Sequence, residues 1–541
     1  MKQKFRVIIP AAGKATRMRP LSNSISKAMV PINGKPIISY IIDQLFKIGE
    51  PSEIIIVHNE LKDIENFVKN FYPQYKNKIF FIQQYNPEGP LHAIQVGGKK
   101  LIEIIGKENK DELPIMIWLG DTICLESSFD MKKSFLVTSP VNDYQRWCLV
   151  DKNCRFYDKP DIPPRTNKAL IGIYYFKNAN IFWKSLDEGM KMGKIKNEYQ
   201  ISNLLNCYLK NGQFFELENT DKWYDCGELH TFYQSKARLL NKTTRSFNEI
   251  IVDTFLGTIT KKGKTEEGKQ KIELEKQWYK KLPQKLNLFV PKILDSEYGT
   301  LIMSQEPGVP LNEMWLYDNL RYDVWISILE KILKIHNEVF LDKLNIKTNK
   351  ENQKLAMQEM YITKNLKRID DIQKKYPDFP EFETVRNFIK KTGEELINSG
   401  VVWSTYIHGD SHLGNILFEP LQGNIKFVDP RGKFGNIEGT EGDMRYDMGK
   451  LTQDFYLNYA EILANNYRIE NNKVIFYKNN DLSNQICRYL KTKFSEYGYD
   501  WEQIFKLAIV LIITAIPFHS DDLKRQRAFW LIGLEKIKSI I

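Results

Sequence analysis

The sequence predicts two domains of different architecture, an α/β domain over residues 1–242 and an α+β domain over residues 243–541. In the first, short apolar runs such as Arg6–Pro10 and Ile79–Gln83 alternate with stretches like Ile37–Ile48, whose apolar residues recur at helical spacing. This alternation is typical of a mostly parallel sheet that helices cover on both faces. The second half begins with a β-like stretch and continues as long helices, which indicates a small β-rich lobe followed by a large helical lobe.

The composition limits the classes of protein that fit. Of the 541 residues, 42% are hydrophobic, which supports sizeable cores and excludes a disordered, collagen-like or coiled-coil protein. The 78 Lys+Arg outnumber the 67 Asp+Glu, for a formal net charge of +11, but the basic residues are mixed with glutamates rather than packed into a tail. That pattern favours anionic small substrates over nucleic acid.

Three features predict a cytoplasmic protein with no membrane insertion. The start of the chain has no apolar run of the kind found in signal peptides. The six cysteines show no C-x-x-C spacing, which is typical of a reducing compartment. The longest apolar run, Leu507–Phe518, has about half the length needed to cross a bilayer, so we expect a buried helix there.

The loop after the first predicted strand has the residues of a phosphate site. Ala12 and Gly13 follow that strand, and such small residues let backbone N–H groups approach phosphate oxygens. Arg17 and Lys27 would supply positive charge to a leaving pyrophosphate. Ligands of parallel sheets bind beyond the carboxyl ends of the strands, where this loop lies.

The segment that contains this loop, Gly13–Pro20 (GKATRMRP), is similar to the G-x-G-T-R-x-x-P signature of the sugar-nucleotide pyrophosphorylases. The resemblance extends over residues 4–240 and implies a Rossmann-like nucleotidyltransferase domain. Here Ala15 replaces the second glycine of the signature, and Ser26 and Ala28 replace the prolines of a later P-K-P. The methyl group of Ala15 would narrow the approach to a triphosphate.

The resemblance implies roles for residues of further motifs. In the QYNPEG segment, Gln84 and the backbone of Gly89 would read a pyrimidine base. In YDKP, Lys159 would contact the phosphate of the acceptor. In IGIY, Gly172 and Tyr174 would belong to the acceptor pocket.

Two acidic residues complete the resemblance. Asp121 stands in a strand-end G-D, and Asp225 stands in a W-x-D-x-G motif. Two phosphate-bearing substrates repel each other, so the transfer needs Mg²⁺ held by carboxylates. Asp121 and Asp225 would meet at that metal ion, although each alone also fits a structural role.

The second half contains an H-x-D-x-x-x-x-N loop with Asp410 and Asn415, and Asp429 follows at the end of a predicted strand. Phosphoryl transfer to a hydroxyl needs a carboxylate near the acceptor proton and two oxygen ligands for the Mg²⁺ of ATP, which these three residues supply. The alternative is a metal site of His408, His412 and Asp410, for which no fourth ligand of suitable spacing is present.

This loop resembles that of the aminoglycoside phosphotransferase and choline kinase family, a small-molecule branch of the protein-kinase fold, over residues 244–541. The resemblance implies Asp410 as catalytic base, with Asn415 and Asp429 as Mg²⁺ ligands. Asp429 is followed by P-R-G rather than by the F-G of protein kinases, which argues against a protein substrate.

The nucleotide-binding residues of this second half are predicted from the same family. Lys261 would reach the ATP phosphates, and Glu275 would be its partner on a helix. Gln305 lies in the segment that resembles the hinge receiving adenine. A solvated lysine is the alternative for Lys261.

Together the two resemblances imply a bifunctional enzyme. A kinase half would phosphorylate a small hydroxyl-bearing metabolite with ATP, and a nucleotidyltransferase half would join the product to a nucleotide from CTP, UTP or dTTP and release pyrophosphate. A sugar or polyol is the favoured acceptor, and the activated product would feed cell-surface polysaccharide synthesis. The alternatives are choline or ethanolamine with CTP, an antibiotic phosphotransferase, or a regulatory role for one half. The sequence leaves homo-oligomerisation open.

Overall fold

A computed structural model describes residues 3–242, 248–318, 320–477, 481–519 and 521–540. The chain divides into two compact units, Met1–Lys236 and Ala237–Ile541.

The first unit is an α/β unit. Its strands are β1 (Lys4–Pro10), β2 (Pro31–Ile32), β3 (Lys35–Pro36), β4 (Glu50–His58), β5 (Ile79–Gln83), β6 (Ile115–Trp118), β7 (Thr122–Cys124), β8 (Phe135–Pro140), β9 (Cys148–Val150), β10 (Phe156–Asp158), β11 (Lys168–Phe176), β12 (Glu216–Asn219) and β13 (Trp223–Asp225). Its helices are α1 (Ile37–Ile48), α2 (Asp63–Phe71), α3 (Pro90–Ile105), α4 (Ala179–Lys191), α5 (Ile201–Lys210) and α6 (Leu229–Lys242), the last of which continues into the second unit.

The described part of this unit contains a nine-stranded mixed sheet. The main path runs β10-β9-β11-β6-β1-β4-β5, and β8 and β12 extend it from β11. Strands β6, β1, β4 and β5 are mutually parallel, which confirms the predicted α/β architecture. Strand β11, however, runs antiparallel to β6. Within the described residues 3–242, no α-helix lies between these two strands to provide a parallel crossover, so the chain returns in the opposite direction.

The central strands are buried on both faces, and this explains their continuous apolar sequence. Phe5, Val7, Ile8 and Ile9 of β1 have no exposed surface. Helix α3 lies close against the sheet at Gly97, where a Cβ would come within 2.6 Å of the Ile8 side chain. This packing fixes the carboxyl ends of β1 and β6 at one edge of the sheet, where the loops with Gly13 and Asp121 begin.

The second unit is rich in α-helix. Its strands are β14 (Asn248–Asp253), β15 (Thr258–Gly263), β16 (Ile293–Glu297), β17 (Thr300–Ser304), β18 (Val309–Pro310), β19 (Trp403–Ser404), β20 (Ile416–Glu419), β21 (Asn424–Phe427), β22 (Lys433–Phe434), β23 (Ile437–Glu438), β24 (Gly442–Asp443), β25 (Tyr467–Glu470) and β26 (Lys473–Phe476). Its further helices are α7 (Glu266–Lys280), α8 (Leu311–Tyr317), α9 (Tyr322–Lys334), α10 (Lys350–Gln358), α11 (Lys364–Lys375), α12 (Phe382–Asn398), α13 (Arg445–Tyr456), α14 (Tyr459–Leu463), α15 (Asp481–Glu496), α16 (Trp501–Ile513) and α17 (Leu523–Ile540).

A small sheet and a helical core make up the second unit. The sheet is antiparallel, in the order β14-β15-β17-β16, and α7 contacts β15. The helical core is formed by residues of α11, α12, α16 and α17, with Trp530 fully buried within it. The predicted protein-kinase-like fold of this unit stays a prediction.

One helical stretch, Trp501–His519, is long and apolar enough to cross a membrane by length and composition alone, and 67% of its apolar window is buried within the protein. The buried helix predicted at Leu507–Phe518 is confirmed from Leu507 to Ile513. Its predicted end is wrong, because α16 stops at Ile513 and Phe518 is 64% exposed.

Candidate active sites

Strand pairing brings the two predicted metal-binding aspartates of the first unit together. Strand β13 runs antiparallel to β7, with Asp225 opposite Thr122. Beyond this pair, the N–H of Cys226 donates to the carbonyl oxygen of Asp121 at 3.1 Å. Asp121 and Asp225 are far apart in sequence, yet their backbones are adjacent where β7 and β13 pair as a separate two-stranded sheet.

The two carboxylates have different electrostatic environments. Burial raises the pKa of Asp121, but the Lys27 ammonium, 2.6 Å away, outweighs it, so the net effect is a lowered pKa. Burial raises the pKa of Asp225, and the charge of Asp121 raises it further. A guanidinium nitrogen of Arg146 lies 3.3 Å from Asp225. The carboxylates of Asp121 and Asp225 therefore repel each other, and a divalent cation between them would relieve that repulsion.

The phosphate loop and the Asp121 loop contact each other directly. The N–H of Gly120 donates to the carbonyl oxygen of Pro10 at 3.0 Å, and a Cβ at Gly120 would come within 2.8 Å of the Ala11 Cβ. Ala12 is buried, and Gly13 has open space on its Cβ side. Only a residue without a side chain at position 120 permits this approach.

Ala15 has a left-handed backbone, with φ of 52°. This is the position at which the family signature has a glycine, the residue that adopts such a conformation at least cost. Ala15, whose methyl group is predicted to narrow the approach to a triphosphate, therefore also has an unfavourable backbone conformation.

A cavity of about 160 Å³ opens beside the two aspartates. Six of the predicted residues line it: Arg17, Asp121, Lys159, Gly172, Tyr174 and Asp225. Within the described residues 3–242, the other predicted residues of this unit lie outside the lining: Ala12, Gly13, Lys27, Gln84 and Gly89. Lys27 nevertheless reaches the site through its ion pair with Asp121.

The acceptor side of the cavity depends on an irregularity in β11. The pairing of β11 with β8 shifts between Leu170 and Tyr174, and Gly172 within this shift has φ of +96°. A Cβ at Gly172 would come within 2.8 Å of Leu119. Burial raises the pKa of Tyr174, so its hydroxyl stays protonated. The Lys159 ammonium, 4.0 Å from Glu198, is partly exposed at the rim.

The predicted base-reading residues, Gln84 and Gly89, lie in the segment between β5 and α3. Gln84 is 5% exposed, and its amide nitrogen lies 3.1 Å from His92 Nδ1. Gly89 has φ of +114°, and a Cβ there would meet the backbone N of Tyr199 at 2.7 Å. The turn at Gly89 thus requires glycine, whatever its role toward a nucleotide.

Sequence reasoning missed Arg146. It contacts Asp225 and lies 3.3 Å from Glu228 Oε1, the same oxygen that Arg17 approaches at 2.7 Å. Glu228 therefore holds two cations at the mouth of the site. Arg146 lies in a short turn with no motif, so no pattern in the sequence singled it out.

In the second unit, Asp447 holds the loop that precedes the predicted base. Its carboxylate accepts the backbone N–H groups of His408 and Gly409, both at 2.8 Å. His408 Nδ1 accepts the N–H of Asp410 at 3.3 Å, and Nε2 lies 3.0 Å from the carbonyl oxygen of Val428. Both ring nitrogens are therefore engaged, which disfavours the alternative of a histidine metal site.

Asp410 lies between Asn415 and Lys450. The Asn415 amide nitrogen donates to the Asp410 carbonyl oxygen at 3.0 Å, and the Lys450 ammonium lies 3.0 Å from Asp410 Oδ1. Burial raises the pKa of Asp410, but the charge of Lys450 outweighs it and holds the pKa well below its usual range. Asp410 is therefore a carboxylate at neutral pH. The N–H of Val428 donates to the Asn415 carbonyl oxygen at 3.0 Å, which ties this loop to the end of β21.

Lys261, Glu275 and Asp429 form a buried ionic group. The Lys261 ammonium lies 2.6 Å from Glu275 Oε1 and also bonds to Asp429. Burial, helped by the charge of Asp429, raises the pKa of Glu275 to about 7 despite Lys261. Asp429 itself has a left-handed backbone, with φ of 60°. Elements β15, α7 and the end of β21 thus meet at one lysine.

Gln305 directly follows β17, and its backbone N–H donates to the Gly257 carbonyl oxygen at 2.8 Å. That donor is engaged, so its carbonyl oxygen and its side chain are the groups left for a ligand. Among the described residues, no three His, Cys, Asp or Glu side chains are grouped to hold a metal ion. Mg²⁺ is commonly bound by one or two carboxylates, with phosphates and waters as its other ligands, so both predicted sites suit that ion.

Comparison with known proteins supports the predicted nucleotidyltransferase resemblance of the first unit. Residues 6–242 match a family model described as Nucleotidyl transferase. The UTP–glucose-1-phosphate uridylyltransferase AglF of Haloferax volcanii is 26% identical in an alignment of 259 residues, which covers 45% of this chain and 99% of AglF. The N-terminal unit resembles sugar-nucleotide pyrophosphorylases.

Two further relatives cover a similar part of the chain. The low-salt glycan biosynthesis nucleotidyltransferase Agl11 of the same organism is 25% identical in an alignment of 248 residues, which covers 43% of this chain and 65% of Agl11. A crystal structure of UDP-glucose pyrophosphorylase with UDP-glucose has 22% identity and a TM-score of 0.36, and covers 45% of this chain and all of that one. Each of these matches covers less than half of this chain.

Proposed function

We propose that the chain is a bifunctional enzyme, in which the first unit transfers a nucleotidyl group from a pyrimidine NTP to a phosphorylated acceptor and the second unit makes that acceptor with ATP. The observation that carries the first activity is the convergence of Asp121, Asp225 and Lys27 beside the phosphate loop. The name of the relative AglF, a UTP–glucose-1-phosphate uridylyltransferase, favours a sugar phosphate as acceptor.

In the first reaction, an oxygen of the acceptor phosphate attacks the α-phosphorus of the NTP, and pyrophosphate leaves. Asp121 and Asp225 would hold Mg²⁺, which supplies positive charge between the two phosphate-bearing substrates. Lys27 and Arg17 stabilise the charge that develops on the leaving pyrophosphate. Lys159, Gly172 and Tyr174 would position the acceptor, and Gln84 with Gly89 the base.

In the second reaction, a hydroxyl of the acceptor attacks the γ-phosphorus of ATP, its proton passes to Asp410, and ADP leaves. The low pKa of Asp410 keeps it ready to accept a hydrogen bond from that hydroxyl. Asn415 and Asp429 would hold Mg²⁺, since the Asn415 amide nitrogen is already bonded and its oxygen is left for a cation. The Lys261–Glu275 ion pair supports a lysine fixed toward the ATP phosphates.

The two reactions form a sequence, because the phosphate ester made by the second unit is the class of acceptor that the first unit uses. The product, a nucleotide-activated donor, is suited to cell-surface polysaccharide synthesis. A cytoplasmic location, where ATP and NTPs are available, fits this role.

A panel assay tests the first activity. Pyrophosphate release is measured with CTP, UTP and dTTP against sugar 1-phosphates, polyol phosphates and phosphocholine. We expect release with a pyrimidine NTP and a sugar phosphate. Release with phosphocholine and CTP alone would establish the choline alternative instead.

The variant Asp410→Asn tests the second activity. We expect it to lower ADP formation from ATP and an acceptor by at least about a hundredfold, because the hydroxyl loses its proton acceptor. Pyrophosphate release with a pre-phosphorylated acceptor should be unchanged. Asp378→Asn, an exposed aspartate of the same unit, is the matched control. Equal ADP formation by both variants would contradict the assignment of Asp410.

A further inference from the structure

Five basic side chains of the second unit lie near one another. Lys364 and Arg368 are one turn apart on α11, Lys450 is on α13, Lys433 is on β22, and Arg431 precedes β22. The Lys364 ammonium is close enough to the other four to interact electrostatically with each of them. We refer to these five residues as the basic cluster.

The basic cluster adjoins the predicted catalytic base. Lys450 lies 3.0 Å from Asp410 Oδ1. The side chain of Arg431 packs on the residue before Asp410, since a Cβ at Gly409 would lie 2.9 Å from the Arg431 Cβ. The Arg431 guanidinium donates to the Tyr446 hydroxyl at 2.9 Å. The cluster therefore begins at the atoms that would receive the acceptor's proton.

The cluster extends from Asp410 toward the helices, whereas Lys261 approaches from the small sheet. Arg368 donates to the Thr514 carbonyl oxygen at 3.2 Å, just after α16, and its guanidinium lies 4.7 Å from the ring centroid of Phe518. The ATP phosphates are assigned to the Lys261 side. The helical side is the one left for the acceptor.

Four of these basic side chains have no acidic partner among the described residues. No carboxylate lies within 4 Å of a side-chain nitrogen of Lys364, Arg368, Arg431 or Lys433 within that part of the chain. The side-chain nitrogen of Lys364 instead contacts the sulfur of Met360 at 3.6 Å.

The crowding is unfavourable in the free protein. Burial, together with the neighbouring cations, lowers the pKa of Lys364 to about 5. Like charges gathered beside a buried site destabilise it unless an anion joins them. The arrangement is therefore suited to an anion that enters from solution.

We propose that the acceptor phosphorylated at Asp410 carries an anionic group, a carboxylate or a phosphate, which the basic cluster binds while the acceptor hydroxyl meets Asp410. This inference rests on the proposed kinase function and narrows its substrate class. Choline, ethanolamine and aminoglycosides are cations, which the cluster repels. A sugar or polyol that bears a carboxylate or a phosphate fits both the cluster and the base.

A charge series of acceptors tests the inference. ADP formation by the full chain is measured with Mg-ATP and four acceptors of one skeleton: glucose, glucosamine, glucuronate and glucose 6-phosphate. A second series uses glycerol, serinol, glycerate and glycerol 3-phosphate, and choline is added. We expect kcat/KM to be at least about tenfold higher for an anionic member than for the neutral one and to fall as KCl is added. The carboxylate and phosphate members distinguish the two sources of charge.

Variants identify the cluster as the source of the preference. The double variant Lys364→Met, Arg368→Gln should raise KM for the anionic acceptor at least about tenfold, while KM for ATP and activity toward the neutral acceptor are unchanged. Lys374→Gln, an exposed lysine near the end of the same helix, is the control. If the double variant does not fold, the charge series and its salt dependence on the unmodified protein still decide the question.

The outcomes separate the inference from the function on which it rests. Equal or higher kcat/KM for a neutral or cationic acceptor would overturn the anionic acceptor and leave the kinase function in place. A rise in KM for ATP alone would mean that the cluster binds the nucleotide, which also overturns the inference. ADP formation with none of the acceptors would overturn the proposed kinase function itself.

Discussion

At the scale of single residues, Ala15 is the clearest departure from a family pattern. Its φ of 52° is a conformation in which a Cβ is crowded by the backbone. We expect Ala15→Gly to raise the free energy of unfolding of the first unit by up to about 1 kcal/mol, since relief of the left-handed strain exceeds the added entropy of the unfolded chain. Urea unfolding measures the change.

Gly212→Ala is the opposite control for this change. Gly212 also has positive φ, at 78°, and a Cβ there would meet no described residue within 4 Å. That variant should lose about 1 kcal/mol from backbone strain alone. Destabilisation by Ala15→Gly would contradict the strain assigned to position 15.

Lys364 gives a prediction of pH dependence. Its pKa is about 5 in the folded protein, far below its ordinary value, so between these values the unfolded chain binds a proton that the folded chain does not. Stability therefore falls as the pH is lowered from about 10 toward 5. Lys364→Met removes the lysine and with it this loss of stability at low pH. We therefore expect the variant to be more stable than the unmodified protein, by a margin at least about 1 kcal/mol larger at pH 6 than at pH 9.

Hydrogen exchange of α12 peptides in urea reports unfolding of the second unit and measures this gain. Lys374→Met, at an exposed position of α11, should show no such difference between the two pH values. A gain for Lys364→Met that is equal at both pH values would mean that the lysine is charged in the folded protein.

At the scale of elements, the irregularity in β11 connects the sheet to the acceptor side of the cavity. Gly172→Ala would bring a Cβ within 2.8 Å of Leu119, which is two residues from Asp121, at a position with φ of +96°. We expect a loss of about 2 kcal/mol of stability and at least about tenfold slower pyrophosphate release. Fixed-time assays at saturating NTP measure the rate of pyrophosphate release.

Gly212→Ala separates strain from position in this experiment too. It shares the positive φ but lies away from the cavity lining among the described residues, so its pyrophosphate release should match that of the unmodified protein. Equal rates for the two glycine variants would show that the β11 irregularity does not position the acceptor side.

Local periodicity was sufficient to predict several elements. Helix α1 and strand β5 have the predicted bounds, because both are apolar segments with one clear period. The direction of β11 was not predictable in this way, since strand pairing depends on residues distant in sequence. The end of α16 was also misplaced, because an apolar sequence continues past the last helical residue.

In the candidate sites, too, some features were predictable from local sequence and others were not. The closeness of Asp121 and Asp225 was predictable because each stands near a strand end within a motif, and the ends of neighbouring strands lie close together. Arg146 was not, because its place beside Asp225 comes from a turn without any motif. The basic cluster was not predictable either, since its members come from separate helices and loops whose packing no local pattern reveals.

At the scale of the whole molecule, each compact unit has one proposed reaction. Mixing Asp121→Asn with Asp410→Asn tests whether the phosphorylated acceptor passes through solution. We expect the mixture to form the nucleotide-activated product from ATP, NTP and unphosphorylated acceptor, although neither variant does so alone. Product analysis by anion-exchange chromatography measures this. An inactive mixture of two folded variants would show that the intermediate does not leave the chain on which it forms.

Asp121 and Asp225 form the proposed nucleotidyl-transfer site. Its most direct test is pyrophosphate release from UTP, CTP or dTTP with a sugar 1-phosphate and Mg²⁺, comparing Asp121→Asn with Asp130→Asn, an exposed aspartate of the same unit. We predict that Asp121→Asn lowers the rate at least about a hundredfold and that Asp130→Asn leaves it unchanged. Full pyrophosphate release by a folded Asp121→Asn protein would contradict the claim.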